Sequence, residues 1–297
     1  MDCPRKKDCL MESIIRLECI KPGGGAYLVD QGRAGLRHQG IPTGGPADNS
    51  SAQRARELLD LDDDAILLEF TLEGGQWLLS GKGQFAITGA DMGWKINGRP
   101  VEIYTTIDID GDYLLDGGFA ERGCRSYLAI RGNWKSPRYL GSVSPGLPEI
   151  EKITTGWKVL IEGMDEVDYS SDLDIYQHLP TLPLTLKVTP GPEWPLLSDE
   201  ARNYFKEASF HLGQNSNRQG VRLVSDLDVP PPGPQVARMV SSPVLPGTIQ
   251  FPPSGPIILL NDAQTVGGFP RVLLVEDYAD LDLLAQLKPG DKVTFAL

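Results

Sequence analysis

Short apolar runs broken by glycine turns constrain this chain more than any other feature. Between residues 65 and 163 the runs fall at 66–72, 76–79, 84–88, 94–96, 103–107, 113–115, 126–130 and 159–161. They have the length and residue types of β-strands, and the breaks hold Glu73-Gly74-Gly75, Asn97-Gly98 and Asp110-Gly111. Asn97-Gly98 is the strongest hairpin signal, since both residues tolerate the positive φ of a type I′ turn. The 33 glycines and 24 prolines are dispersed between the runs, as many short strands joined by tight turns require. The chain therefore reads as mainly β with a few short helices. Helices are expected at 52–59 behind a cap at Asp48 or Asn49, and at 199–208 behind Ser198. A third is expected at 277–287, stopped by Lys288-Pro289-Gly290.

Charge and motif content exclude several classes of function. The net charge is −12 and no basic cluster exceeds Arg5-Lys6-Lys7, which argues against nucleic acid and anionic membranes as partners. No run reaches the length of a membrane helix, and no apolar segment follows the basic N-terminus as in a signal peptide. Cys3, Cys9, Cys19 and Cys124 lack metal-ligand spacing and do not suggest a disulfide framework, so a reducing cytoplasm is the expected location. With three histidines in all, His38, His178 and His211, a His-rich metal centre is excluded and no metal site is expected. The segment GQWLLSGKG at 75–83 has the wrong spacing for a phosphate loop, and no GxSxG or HExxH is present.

What remains is a set of acids, arginines and amides at the ends of strands. Residues 241–275 place Asn261, Asp262, Gln264 and Thr265 directly after one apolar run, with Gly267-Gly268 before the next at 272–275. Alone, this segment reads as a polar hairpin loop; at a sheet rim it would present hydrogen-bonding groups with backbone close by. Residues 21–51 have the same character and offer Asp30, Arg33, Arg37, His38 and Asp48, either as a linker or as an ordered functional loop. Asp91 follows a strand in TGAD, and Arg218 sits in the polar turn SNRQG before another. Such groups suit the holding of a carboxylate, an amide or a carboxy-phosphate-like group.

These segments resemble the biotin-dependent carboxyltransferase, or allophanate hydrolase subunit 2, family. That family includes the C component of 5-oxoprolinase, KipA-type regulators and the carboxyltransferase region of urea carboxylase. The likeness is carried in order by DQGRAG (30–35), GIPTGGPAD (40–48), TGAD (88–91), LGSVS (140–144), SNRQGVRL (216–223) and PGTIQFPPSGPIILLNDAQTVGGFP (246–270). The sequence departs from the family pattern at Tyr27, Val29, Asn217, Gln219, Val266 and Phe269.

The resemblance implies two cyclophilin-like β-barrel halves with a cleft between them. Residues 1–12 would then be an extension, 13–180 the N-terminal half with an acidic connection at 164–180, and 181–297 the C-terminal half. It implies a subunit of an ATP-dependent complex that hydrolyses 5-oxoproline to glutamate, with ATP used at the level of the complex. The expected companions are a subunit related to allophanate hydrolase subunit 1 (KipI-like) and a lactam-hydrolase subunit. Asp48, Asp91 and Asp262 would serve as base or orient water, and Arg33, His38, Arg218, Gln250 and Gln264 would bind substrate. Two alternatives stay open. One is carboxyl transfer to urea or a similar amide from biotin carried on another polypeptide, and the other is a KipA-like regulatory binding protein.

Overall fold

The computed structural model describes residues 14–165, 179–236 and 239–297. The expected extension at 1–12 and most of the acidic connection lie outside the described residues. Strands from Ile14–Lys21 to Lys158–Gly163 belong to one ten-stranded sheet. Its main path runs through Ala26–Val29, Leu67–Thr71, Arg125–Ile130, Glu73–Gly89, Ile14–Lys21, Lys158–Gly163 and Gly132–Trp134. The later strands form a closed barrel in the order Leu184–Pro190, Arg271–Val275, Thr248–Gln250, Ile257–Leu259, Gly220–Ser225, Phe210–Leu212 and Lys292–Ala296. A parallel pairing, from Leu184 with Val293 to Lys187 with Ala296, closes it.

Two expectations about turns are corrected. The breaks expected at Glu73-Gly74-Gly75 and Asp110-Gly111 lie inside strands, because Glu73–Gly89 and Thr106–Phe119 form one long antiparallel pair. Gly81 lies opposite Gly111, with φ of 122° and 130°. A Cβ on Gly81 would stand 2.4 Å from the Ile14 carbonyl oxygen. This glycine pair therefore lets the ribbon coil past a neighbouring strand without ending it. In addition, the runs flanking 261–270 do not pair as a hairpin: Thr248–Gln250 lies between Ile257–Leu259 and Arg271–Val275 in the barrel. The Asn97-Gly98 hairpin forms as expected, with Ile96 paired to Arg99 and φ of 48° and 80° at the turn.

Among the described residues three α-helices pack against these sheets: α1 (Asn49–Glu57), α2 (Asp199–Glu207) and α3 (Tyr278–Ala285). Their N-terminal amides are capped by Asp48, Ser198 and Asp277 respectively. Each half has its own apolar core. In the sheet, Phe70 packs against Trp77 and Trp94 at ring centroid distances of 5.4 and 4.9 Å. In the barrel, Tyr204, Phe205, Phe210 and Phe251 form an aromatic cluster. Among the described residues no helix is long and apolar enough to cross a membrane.

The Trp94 indole lies in a slot left by two glycines. A Cβ on Gly74 or on Gly117 would come within 2.6 Å of its ring carbons. Trp94 is buried and held in the Phe70 cluster, so the ring has no room to move away. Gly117→Ala is expected to lower stability by about 1–3 kcal/mol through overpacking, read as a reduced urea midpoint at unchanged slope. An unchanged midpoint would show that the slot is not tight.

Candidate functional site

The sheet and the barrel meet along a polar seam. Asn261 Nδ2 donates to the Pro46 carbonyl at 3.1 Å, and Gly44 N–H donates to the Asn261 carbonyl at 3.3 Å. From α3, Asp282 accepts the Asn49 and Ser50 amides of α1 at 2.9 and 3.0 Å. Gln286, just beyond α3, accepts the Cys124 and Arg125 amides at 2.9 Å each and donates to Asp48 Oδ2 at 2.6 Å. Every one of these bonds joins the two halves, so the seam is fixed by directional contacts as well as by burial.

At the centre of the seam stands Glu69, the charged member of the buried strand Leu67–Thr71 and itself fully buried. Its Oε2 accepts the Ala47 amide and the Tyr127 hydroxyl, both at 2.9 Å. Its Oε1 is bonded by Arg218 Nη1 and lies 3.7 Å from Arg125 Nε. Arg218 crosses from the barrel and leaves no nitrogen idle. Nε donates to Asp262 Oδ2 at 2.7 Å, and Nη2 donates to the Gly45 carbonyl at 2.6 Å and to Asp262 Oδ1 at 3.2 Å. The Tyr27 ring lies beneath the guanidinium, 5.8 Å from its central carbon. Burial alone would push the Glu69 carboxyl up, but Arg218, Arg125 and the Ala47 amide outweigh it and hold it below the usual range. Burial likewise opposes the charge on Arg218, and Glu69 and Asp262 outweigh it and raise its pKa.

This cluster is the floor of a cavity of about 760 Å³, within the range of small-molecule sites. Tyr27, Arg125, Arg218 and Asp262 line it, with Lys152 and the Ser216–Gln219 turn around them. Counting Glu69 behind the floor, the cations Arg125, Lys152 and Arg218 face the carboxylates Glu69 and Asp262. One positive charge is left uncompensated, which suits a small monoanion. Among the described residues no three His, Cys, Asp or Glu side chains cluster as a metal site. The helix N-termini are capped by this chain's own side chains, and α1 also has Asp282 against its first amides.

Of the eight candidate residues from the sequence, Arg218 and Asp262 meet in this cavity; the other six lie elsewhere. Asp48 is a buried cap of α1, accepting the Ser51 amide at 2.9 Å and the Ser51 hydroxyl at 2.6 Å. Asp91 is exposed and accepts the Gly93 amide in a local turn at 2.7 Å. His38 is exposed beside Gln39. Arg33 is buried in a cage of carbonyls, donating to Tyr139, Pro145 and Ser144 at 3.1, 3.2 and 2.6 Å, so it organises the 139–146 loop. Gln250 donates to the Phe269 carbonyl at 3.2 Å and accepts from Gln264 at 3.4 Å, and neither glutamine lines the cavity. Sequence reasoning missed Glu69, Arg125 and Gln286. A lone carboxylate within the apolar run LLEFT was the available signal for Glu69.

A closed barrel joined to a large β-sheet has counterparts among solved structures. The solved structure of TTHA0988 superposes with a TM-score of 0.82 at 28% identity, covering 96% of this chain and 56% of that one. Residues 39–297 match the profile described as carboxyltransferase domain, subdomain A and B, and the chain belongs to that family. It is 30% identical over 286 residues to the C component of 5-oxoprolinase from Escherichia coli, covering 94% of this chain and 90% of that relative. It is also 30% identical to urea amidolyase of Lachancea kluyveri over 312 residues, covering 94% of this chain but 17% of that protein.

Asp48 supplies a pH test of the seam. Burial, and then the neighbouring Asp282 charge, push its carboxyl up to about 6 from an ordinary 3.8, against the pull of Gln286 and Ser51. A carboxyl raised in the folded state contributes stability that is fully present below its unfolded value and is lost as pH rises through the folded one. The difference corresponds to about 3 kcal/mol lost between roughly pH 4 and pH 6. Chemical denaturation of the wild type and Asp48→Asn across that window is expected to show the fall in the wild type and its loss in the variant. Parallel curves would overturn this.

Proposed function

We propose that the chain is the C component of an ATP-dependent 5-oxoprolinase complex, opening 5-oxoproline to glutamate with companion subunits. The observation that carries this reading is the match to the Escherichia coli protein over nearly the whole of both chains. The cavity agrees with it in charge and size, since 5-oxoproline is a small monoanion with an amide to be held and attacked. In this reading Asp262 touches the substrate. Gripped by Arg218 through both carboxylate oxygens, it has a fixed orientation in which to accept a hydrogen bond from the lactam N–H or from the attacking water. Arg218 positions Asp262 and ties its strand end to Glu69 in the other half.

ATP is used at the level of the complex in this proposal. Its hydrolysis supplies the driving force for ring opening. The companions are a subunit related to allophanate hydrolase subunit 1 and a lactam-hydrolase subunit, assembled as a hetero-oligomer in the cytoplasm. The similarity to urea amidolyase favours a second reading, carboxyl transfer to an amide from biotin carried elsewhere. In that case a biotinylated polypeptide copurifies with the chain.

The test is ATP-dependent glutamate release from 5-oxoproline by the purified complex, with each polypeptide omitted in turn. Release that persists without this chain would sink the proposal. Asp262→Asn keeps an acceptor facing Arg218 and is expected to lower kcat by about 10²- to 10⁴-fold. Arg218→Ala leaves Glu69 buried without its main counter-charge and is expected to cost about 3–5 kcal/mol of stability as well.

A further inference from the structure

We propose that Arg125 selects a carboxylate-bearing ligand in this cavity, its guanidinium holding the carboxylate of a small monoanionic lactam while Asp262 faces the ring. The lactam identity rests on the 5-oxoprolinase reading; the carboxylate role of Arg125 does not. Three arginines have largely buried side chains around the site, and they differ in what their nitrogens do. Arg33 and Arg218 commit all of theirs to protein oxygens. Arg125 lines the cavity and is 7% exposed, yet among the described residues only its Nη1 is engaged, by the Ala285 carbonyl and more weakly by Cys124 Sγ at 3.9 Å. Its Nε has no hydrogen-bond partner and stands 3.7 Å from Glu69 Oε1, beyond hydrogen-bond reach.

The Nε of Arg125 is sealed from the cavity beside Glu69, so the donor left for a ligand is Nη2. A nine-tenths-buried guanidinium with a hydrogen bond unmade at a cavity wall is costly unless something arrives to pair with it. A charge-assisted bond from this guanidinium to a carboxylate is stronger than one to a neutral amide, which carries no opposite charge. The group is also held ready. Its backbone amide donates to Gln286 Oε1 at 2.9 Å, and the Ala285 carbonyl anchors one end of the guanidinium. Glu69 meets it only at ion-pair distance, 3.7 Å, because the hydrogen bonds of that carboxylate are taken by Arg218, Tyr127 and Ala47. Lys152 supplies charge at the exposed side of the same cavity. Leu212, Val221, Leu284 and Leu287 offer an apolar wall to ring methylenes.

The experiment is calorimetric titration of the full chain with 5-oxoproline and with its neutral carboxamide. The wild type is expected to prefer the carboxylate by about tenfold to hundredfold, the range of a charge-assisted hydrogen bond. Arg125→Gln is expected to bring the two ligands within about threefold. In the active complex the same variant is expected to raise KM for 5-oxoproline with little change in kcat, the signature of lost ground-state binding. Arg125→Lys keeps a cation beside Glu69 should the glutamine variant fail to fold, and it is expected to lose most of the preference because a single ammonium cannot both hold the Ala285 carbonyl and reach the cavity. A folded variant of either kind that retains the full preference overturns the proposal. Acetate and acetamide separate the two readings. If the wild type ignores both lactams but favours acetate in an Arg125-dependent way, the lactam reading falls and Arg125 stands. If it shows no carboxylate preference with either pair, the role of Arg125 falls.

Discussion

The pairing of Glu69 with Arg218 is the contact on which the rest of the site depends. A carboxylate with no exposure would be expelled from a β-strand interior unless its partners were well placed, and here the principal partner comes from the other half of the molecule. Fixing Arg218 on Glu69 also fixes Asp262, which accepts from two other nitrogens of the same guanidinium. The network continues through Tyr127, which donates to Glu69 and accepts the Asp48 amide at 2.8 Å, to the cap of α1 and to Gln286. Site and seam are thus one hydrogen-bonded object, and disturbing either disturbs both.

The strand pattern, the Asn97-Gly98 turn and the caps at Asp48 and Ser198 are legible in the sequence because each depends on near neighbours. The long ribbon reads there as separate strands, because a glycine inside a strand and a glycine in a turn look alike until the opposing residue is known. Arg218 and Asp262 are legible as polar residues at strand ends. The framing role of Arg33 is not, since its partners are backbone carbonyls more than a hundred residues away and carbonyls leave no mark in a sequence. Arg125 stays hidden for a related reason: Gln286, which pins its amide, lies 161 residues further on.

Of the two polar, glycine-rich loops, the second carries Asp262 and the first has a largely supporting role in this geometry. Asp30 of the first accepts the Val143 amide at 2.8 Å and the Ser144 hydroxyl at 2.7 Å, and Arg33 gathers the carbonyls of the same loop. Together they hold Pro145 and Gly146 at the cavity edge, where a Cβ on Gly146 would stand 3.8 Å from Asp262. Polar density in a loop therefore marks the frame of a site as readily as its chemistry.

The closure of the barrel sets an order of events during synthesis. Leu184–Pro190, its first strand, takes one of its neighbours from Lys292–Ala296 by a parallel pairing. The barrel stays open until that last strand has left the ribosome, although the sheet strands up to Gly163 are complete much earlier. Through that interval the Glu69 carboxylate lacks Arg218 in its final place. The nascent sheet thus carries an acid short of its main counter-charge until the barrel strands have been made, and completing the second half is what gives that acid its counter-charge.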